Sequence, residues 1–135
     1  MIYLEWNDEF LIGNKELDGH HRHLVDLLNA VYATCMSQST TDDLSGIVDK
    51  LIDYVDYHFS AEERTMAEHD YPGLPEQERE HAVLKQKLDD MRNRLINATH
   101  FSTIESVELT QMLADWVRNH ITDVDNKLGS YLRTT

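Results

Sequence analysis

The chain has 135 residues, one cysteine and a formal net charge of −13 at pH 7, and its length predicts a single domain, residues 1–135, with a buried hydrophobic core. The acidic balance argues against binding to nucleic acids or anionic membranes. The lone Cys35 excludes an internal disulfide framework and fits a reducing compartment. The N-terminus lacks signal-peptide features and no window is long enough to span a membrane, so we expect a soluble, cytoplasmic protein.

Four helices are predicted after an irregular N-terminal arm. The arm, residues 1–16, has no sustained hydrophobic period, although Trp6 and Phe10 are suited to packing it onto the body. Apolar residues then recur every three or four positions, the spacing of one helix face, over segments at about 17–37, 42–69, 75–97 and 103–128. Helices of similar length joined by short connections predict an all-α fold, an antiparallel up-down four-helix bundle.

Local signals support the ends of these helices. Thr41-Asp42-Asp43 is predicted to cap the second helix, since short polar side chains accept hydrogen bonds from free backbone N–H groups. Asp70-Tyr71-Pro72-Gly73 is predicted to stop it, because proline cannot continue a helix. Pro75 suits the first turn of the third helix, and Ser102-Thr103-Ile104-Glu105 has the capping-box spacing for the fourth.

Each helix carries side chains able to bind a metal where its apolar stripe would otherwise continue. They are His21 on the first helix, His58 and Glu62 on the second, His81 on the third and His120 on the fourth. One such histidine is more often a hydrogen-bonded core residue, but four on four helices favour a metal site in the bundle core. Imidazole and carboxylate donors suit iron, manganese or zinc, and the lack of thiolate ligands argues against structural zinc or an iron–sulfur centre.

The other four histidines are predicted not to bind the metal. His20 and His23 point about 100° and about 200° away from His21 around the helix. His69 shares the stripe of the second helix but lies about 10 Å further along its axis than the carboxylate ligand. His100 falls in a predicted loop.

The periodicity of the fourth helix does not decide which residue is its second metal ligand. The next inward position after His120 is Val124, and two carboxylates, Asp123 and Asp125, lie on either side of it. Asp125 reaches the core only if the helix loosens by one residue, as in a π-type bulge of the kind often found at functional sites.

These motifs, taken together, resemble those of the hemerythrin family, and in particular its bacterial single-domain members. The resemblance covers nearly the whole chain. It rests on Trp6, Leu17-Asp18-Gly19-His20-His21, the run from His58 to Met66, Tyr71-Pro72-Gly73-Leu74, Glu80-His81 and the run from Trp116 to Asp125. It implies a non-haem di-iron site in a four-helix bundle, with two iron ions (Fe2+/Fe3+), an oxo or hydroxo bridge and reversibly bound O2.

The resemblance also implies a role for each ligand. Glu62 and Asp125 would bridge the two irons, so the family pattern selects Asp125 on the fourth helix. His21 and His58 would hold the iron that keeps an open position for O2. The other iron takes three histidines in the family, and this chain matches two of them, His81 and His120.

The third of those histidines is replaced by Gln77. An amide oxygen is a poorer ligand for iron(II) than an imidazole nitrogen. Three outcomes are open: Gln77 binds the iron weakly, a water hydrogen-bonded to Gln77 fills the gap, or the metal binds loosely. Either of the first two gives this iron a labile position, and we expect faster autoxidation than in a fully ligated relative.

Apolar residues on the same stripes are predicted to line a dry O2 pocket, although ordinary bundle core explains them equally well. They are Leu24, Leu28, Phe59, Leu84, Leu113 and Trp116.

Three functions follow as alternatives. The leading one is an O2-binding protein for storage, delivery or scavenging, kept active by a reductase. The second is an oxygen- or redox-sensing domain acting on a fused or separate signalling output domain. The third is a di-iron enzyme acting on peroxide or nitric oxide, which the labile position favours. We predict no catalytic residues, because the sequence has no positioned general acid, nucleophile or phosphate loop.

Overall fold

The computed structural model describes residues 4–37, 41–97 and 103–134. Its helices are α1 (Lys15–Met36), α2 (Thr41–Glu68), α3 (Leu74–Asn97), α4 (Thr103–Asn119) and α5 (Asn126–Arg133), and a π-helical segment, His120–Asp125, joins α4 to α5. α2 packs against α1 and α3, and α1 packs against α4. The predicted antiparallel four-helix bundle is confirmed, with α4, the π segment and α5 forming its fourth arm. Within the described ranges, no helix is both long and apolar enough to cross a bilayer.

The N-terminal arm is irregular apart from one short turn, and it packs onto the bundle. It contains a 3₁₀ turn, Asp8–Phe10, and both Phe10 and Ile12 are buried. The Asp18 carboxylate of α1 accepts a hydrogen bond from the backbone N–H of Ile12 at 2.7 Å. On the other side, Gly129 of α5 approaches so closely that an added Cβ atom would lie 2.1 Å from the Ile12 carbonyl oxygen. The predicted N-terminal arm is thus present, and contacts with α1 and α5 hold it against the bundle.

Helix boundaries differ from the predicted ones by one to a few residues. α1 begins at Lys15, because the Asn14 side chain accepts a hydrogen bond from a backbone N–H of the first turn at 3.0 Å. α2 ends just before the predicted stop, where Asp70 takes the left-handed conformation with a φ of 52°. The predicted cap residue Ser102 and the side chain of Thr41 lie outside the described part of the chain.

The fourth arm contains the π bulge that Asp125 requires. Instead of ending near residue 128, the arm runs on to Arg133, and its residues His120–Asp125 are π-helical. The wider turn brings both His120 and Asp125 inward, where Asp125 is fully buried. Asp123 stays exposed on the outer side. The structure thus selects Asp125 as the inward carboxylate.

Candidate metal centre

Seven polar side chains converge inside the bundle, and each is at most 3% exposed. They come from all four arms: His21 from α1, His58 and Glu62 from α2, Gln77 and His81 from α3, and His120 and Asp125 from the π segment. All seven were singled out from the sequence. Buried ionisable groups at this density need partners, because an isolated charge in a protein interior is very costly.

Six of these side chains form two donor groups that share both carboxylates. The first group is His21, His58, Glu62 and Asp125, and the second is Glu62, His81, His120 and Asp125. In each group, one donor atom per residue lies within 4.8 Å of every other. Gln77 lies beside the second group.

Each shared carboxylate presents one oxygen to each group. Glu62 Oε2 lies 3.0 Å from the Nε2 atoms of both His21 and His58, whereas its Oε1 lies 3.0 Å from His81 Nε2. Asp125 divides in the same way: its Oδ2 is 3.1 Å from His21 Nε2, and its Oδ1 is 3.1 Å from His120 Nε2. This division is the arrangement expected of two carboxylates bridging two metal positions.

Several of these short contacts do not have hydrogen-bond geometry. Among the described residues, Glu62 Oε1, His81 Nε2, His120 Nε2 and Asp125 Oδ2 are buried without a hydrogen-bond partner, although a ring nitrogen and a carboxylate oxygen lie only 3.0–3.1 Å apart in each contact. Donors at right angles around a metal, at about 2.1 Å from it, lie roughly 3.0 Å apart. The spacing and the aim of these atoms therefore fit donors that converge on metal ions.

The Gln77 amide contacts the shared Asp125. Its Nε2 donates a hydrogen bond to Asp125 Oδ1 at 2.9 Å, the same oxygen that faces His120. Its Oε1 is buried without a hydrogen-bond partner. The amide thus supports the carboxylate through its nitrogen, and its oxygen remains available for another contact.

The two carboxylates are held ionised by the surrounding imidazoles. Burial raises the pKa of Glu62, but three imidazoles, led by His58, hold that pKa well below its usual value. Burial and the charge of Glu62 raise the pKa of Asp125, but two imidazoles, led by His120, bring it to about 2. Burial lowers the pKa of His21 and His120, yet the carboxylates raise them to about 10 and about 9. A carboxyl group binds a metal in its ionised form.

Three of the four histidines have a hydrogen-bond partner at the outer ring nitrogen, Nδ1. His81 Nδ1 lies 3.2 Å from Glu63 Oε2, and His120 Nδ1 lies 3.0 Å from Glu80 Oε1. His58 Nδ1 lies 3.0 Å from His20 Nδ1. The Nδ1 of the fourth, His21, is buried and has no hydrogen-bond partner in the part of the chain that the structure describes.

We did not predict these Nδ1 partners from the sequence, although their positions follow one rule. Each is the chain neighbour of an inward residue and reaches the histidine of the next arm. His20 precedes His21, Glu63 follows Glu62, and Glu80 precedes His81. Adjacent residues diverge by about 100° around a helix, so a neighbour of an inward residue faces the adjoining helix.

The remaining histidines lie outside the two groups. His20 is not a member of either, as predicted, but it is buried against His58 rather than uninvolved. His23 and His69 are exposed, and His100 lies outside the described residues.

All six predicted pocket residues line one apolar cavity of about 20 Å³ beside the two donor groups. They are Leu24, Leu28, Phe59, Leu84, Leu113 and Trp116. His21, His58, His120 and Asp125 also face this cavity. Its size is enough for one small molecule such as water or a diatomic gas.

Known proteins share both the sequence pattern and the fold. The family described as Hemerythrin HHE cation binding domain matches residues 12–132. A bacteriohemerythrin from Stenotrophomonas maltophilia is 31% identical over 135 residues, which cover 98% of this chain and 84% of that protein. A hemerythrin-like protein from Naegleria gruberi is 29% identical over 127 residues, 94% of this chain and 92% of that protein. The crystal structure of a wild-type hemerythrin superposes with a TM-score of 0.86 at 26% identity, covering 96% of this chain and 97% of that one. The chain therefore belongs to the hemerythrin family.

Proposed function

We propose that the chain holds two non-haem iron ions in its bundle core and uses them to bind O2 reversibly, for storage, delivery or scavenging. One observation carries the proposal: Glu62 and Asp125 each present one oxygen to each of two histidine-containing donor groups. Two shared carboxylates with two imidazoles on either side make a donor set suited to a pair of iron ions. Membership of a cation-binding family supports the same reading.

The roles of the ligands follow from the two groups. His21 and His58 would hold one iron, His81 and His120 would hold the other, and Glu62 and Asp125 would offer one oxygen to each. Bound iron would supply the electrons for reversible O2 binding by cycling between Fe2+ and Fe3+. The chain contributes the dry cavity next to His21 and His58, because apolar walls keep water away from a site that must release O2 unchanged.

Gln77 gives the second iron one fewer imidazole than the family pattern. Its Nε2 is used by Asp125, while its Oε1 is free to bind the iron weakly or to accept a hydrogen bond from a water at that position. In either arrangement one position on the second iron exchanges easily. We therefore propose that the ferrous pair autoxidises faster than it does in a relative with histidine here.

Anaerobic loading with iron(II), followed by O2, tests the proposed function. We expect two irons per chain and a new visible absorption that fades when O2 is removed. His58→Gln is expected to lose one iron, and His69→Gln, at an exposed position in the turn just after the same helix, is expected to keep both. Direct conversion to a stable ferric spectrum, or fewer than two irons in the native chain, would contradict O2 carriage.

One observation favours a redox enzyme as the second candidate. The replacement of a histidine by Gln77 leaves a position where peroxide or nitric oxide could bind. Sustained turnover of either substrate by the iron-loaded protein would support the enzyme and argue against a carrier.

A further inference from the structure

The partner behind each histidine differs in charge between the two donor groups. In the second group, both His81 and His120 face carboxylates, Glu63 and Glu80. In the first group, His58 faces the imidazole of His20, and Nδ1 of His21 has no hydrogen-bond partner among residues 4–37, 41–97 and 103–134.

The contact between His58 and His20 has a defined direction. Two ring nitrogens 3.0 Å apart need one proton between them. His58 Nε2 points into the first group, 3.0 Å from Glu62 Oε2, and must be unprotonated to bind a metal. With a metal on Nε2, His58 would carry its proton on Nδ1 and donate it to His20 Nδ1.

His20 is held in place for this contact. It is 9% exposed, and the rings of Tyr57 and Tyr54 lie 5.2 Å and 6.1 Å from its own. His23, one turn further along α1, is exposed and packs on Tyr54 without touching His58. His20 is therefore part of the site, whereas the exposed His23 only lies near it.

We propose that His20 is a positioning residue that fixes the tautomer and orientation of His58 and keeps the first metal position less electron-rich than the second. The inference rests on the di-iron site proposed above. A carboxylate behind a ligating histidine makes the imidazole a stronger donor, and a neutral acceptor orients it with less effect. Glu63 and Glu80 would thus favour the ferric state at the second position, whereas the imidazole of His20, which brings no negative charge, would leave the first position more easily kept ferrous.

Substitutions of His20 separate orientation from charge. His20→Leu removes the acceptor, His20→Asn places a neutral acceptor near the former Nδ1, and His20→Asp places a carboxylate there. His23→Leu and His23→Asp are the matched controls, because they make the same changes at the exposed neighbour. Circular dichroism and thermal unfolding of the metal-free proteins would identify any variant that fails to fold.

Stepwise iron(II) titration and the reduction potential of the loaded pair are the two measurements. We expect His20→Leu to weaken one of two binding steps by about 10–100-fold, and His20→Asn to restore most of that loss. We expect His20→Asp to bind both irons and to lower the reduction potential more than His23→Asp does.

Two results would overturn the inference while leaving the proposed function intact: a native chain and a His20→Leu variant that bind both irons equally well, or a His20→Asp potential equal to that of His23→Asp. A native chain that binds fewer than two irons would instead overturn the proposed function, and the inference with it. Loss of folding in His20→Leu alone leaves the Asn and Asp variants to decide.

Discussion

Replacing Gln77 with leucine tests what this side chain does for the metal pair. In the metal-free chain the change removes the hydrogen bond from Nε2 to Asp125 Oδ1, which is 2.9 Å long and buried. A hydrogen bond to a charged group contributes about 1.5–3 kcal/mol. The change also removes the unpartnered Oε1, whose burial costs about 1–3 kcal/mol. The two effects nearly cancel, so the metal-free variant should unfold at a similar free energy.

The two effects of the Gln77→Leu substitution no longer cancel when iron is bound. In our proposal Oε1 then gains a partner, either the iron or a water on it, so leucine removes two favourable contacts. Contacts that support a metal ligand or a metal-bound water are worth about 10–100-fold in metal affinity. We expect Gln77→Leu to bind the second iron weaker by about that factor while the first iron binds as before.

Anaerobic iron(II) titration, paired with urea unfolding of the metal-free and loaded proteins, measures both quantities. If Gln77→Leu binds each iron as tightly as the native chain does, the reasoning is refuted. A metal-free variant destabilised as much as the loaded one would refute it too, because the amide would then serve folding alone. In Gln77→His, a third imidazole closes the labile position, and we expect autoxidation to slow at least about tenfold, or about 1.4 kcal/mol in the barrier. An unchanged rate would contradict the role given to Gln77.

Three further predictions concern the packing of α5, the ionisation of His21 and the wall of the apolar cavity. Gly129→Ala should lower the free energy of unfolding by about 1–3 kcal/mol, because the added Cβ would meet the Ile12 carbonyl. Gly19→Ala is the control, since its Cβ would meet nothing within 4 Å and should not lower that free energy. Urea unfolding measures both variants. In the metal-free chain, His21 has a pKa of about 10 against 6.5 when unfolded, so its stabilising effect is complete below about pH 6.5 and is lost as the pH rises through about 10. A stability profile that stays flat over this range, measured by urea unfolding, would contradict the proposed ionisation. Leu113→Ala should cost about 2–5 kcal/mol and, by admitting water to the cavity, speed autoxidation followed by visible absorption; an unchanged rate would mean that the cavity wall does not protect the pair.

The inward residues were predictable because polar side chains on apolar stripes are conspicuous. His21, His58, Glu62, His81 and His120 each interrupt a stripe with a period of three or four residues, and a bundle has one interior to which all stripes turn. Asp125 was harder, because its inward direction depends on the π-helical turn, whose presence the periodicity alone left open.

Other features depend on contacts between distant parts of the chain. The order of the N-terminal arm comes from Ile12 packing against Gly129, which lies more than a hundred residues later. His20, Glu63 and Glu80 sit off the apolar stripes, so periodicity gives them no weight. Their partners become visible only when neighbouring helices are placed side by side.

An anomalous difference map from crystals of iron-loaded protein, recorded at the iron absorption edge, tests the central claim most directly. Our account predicts two peaks in each chain, one beside His21 and His58 and the other beside His81 and His120, with Glu62 and Asp125 between them. A single peak, or a pair of peaks that the two carboxylates do not bridge, would contradict the account.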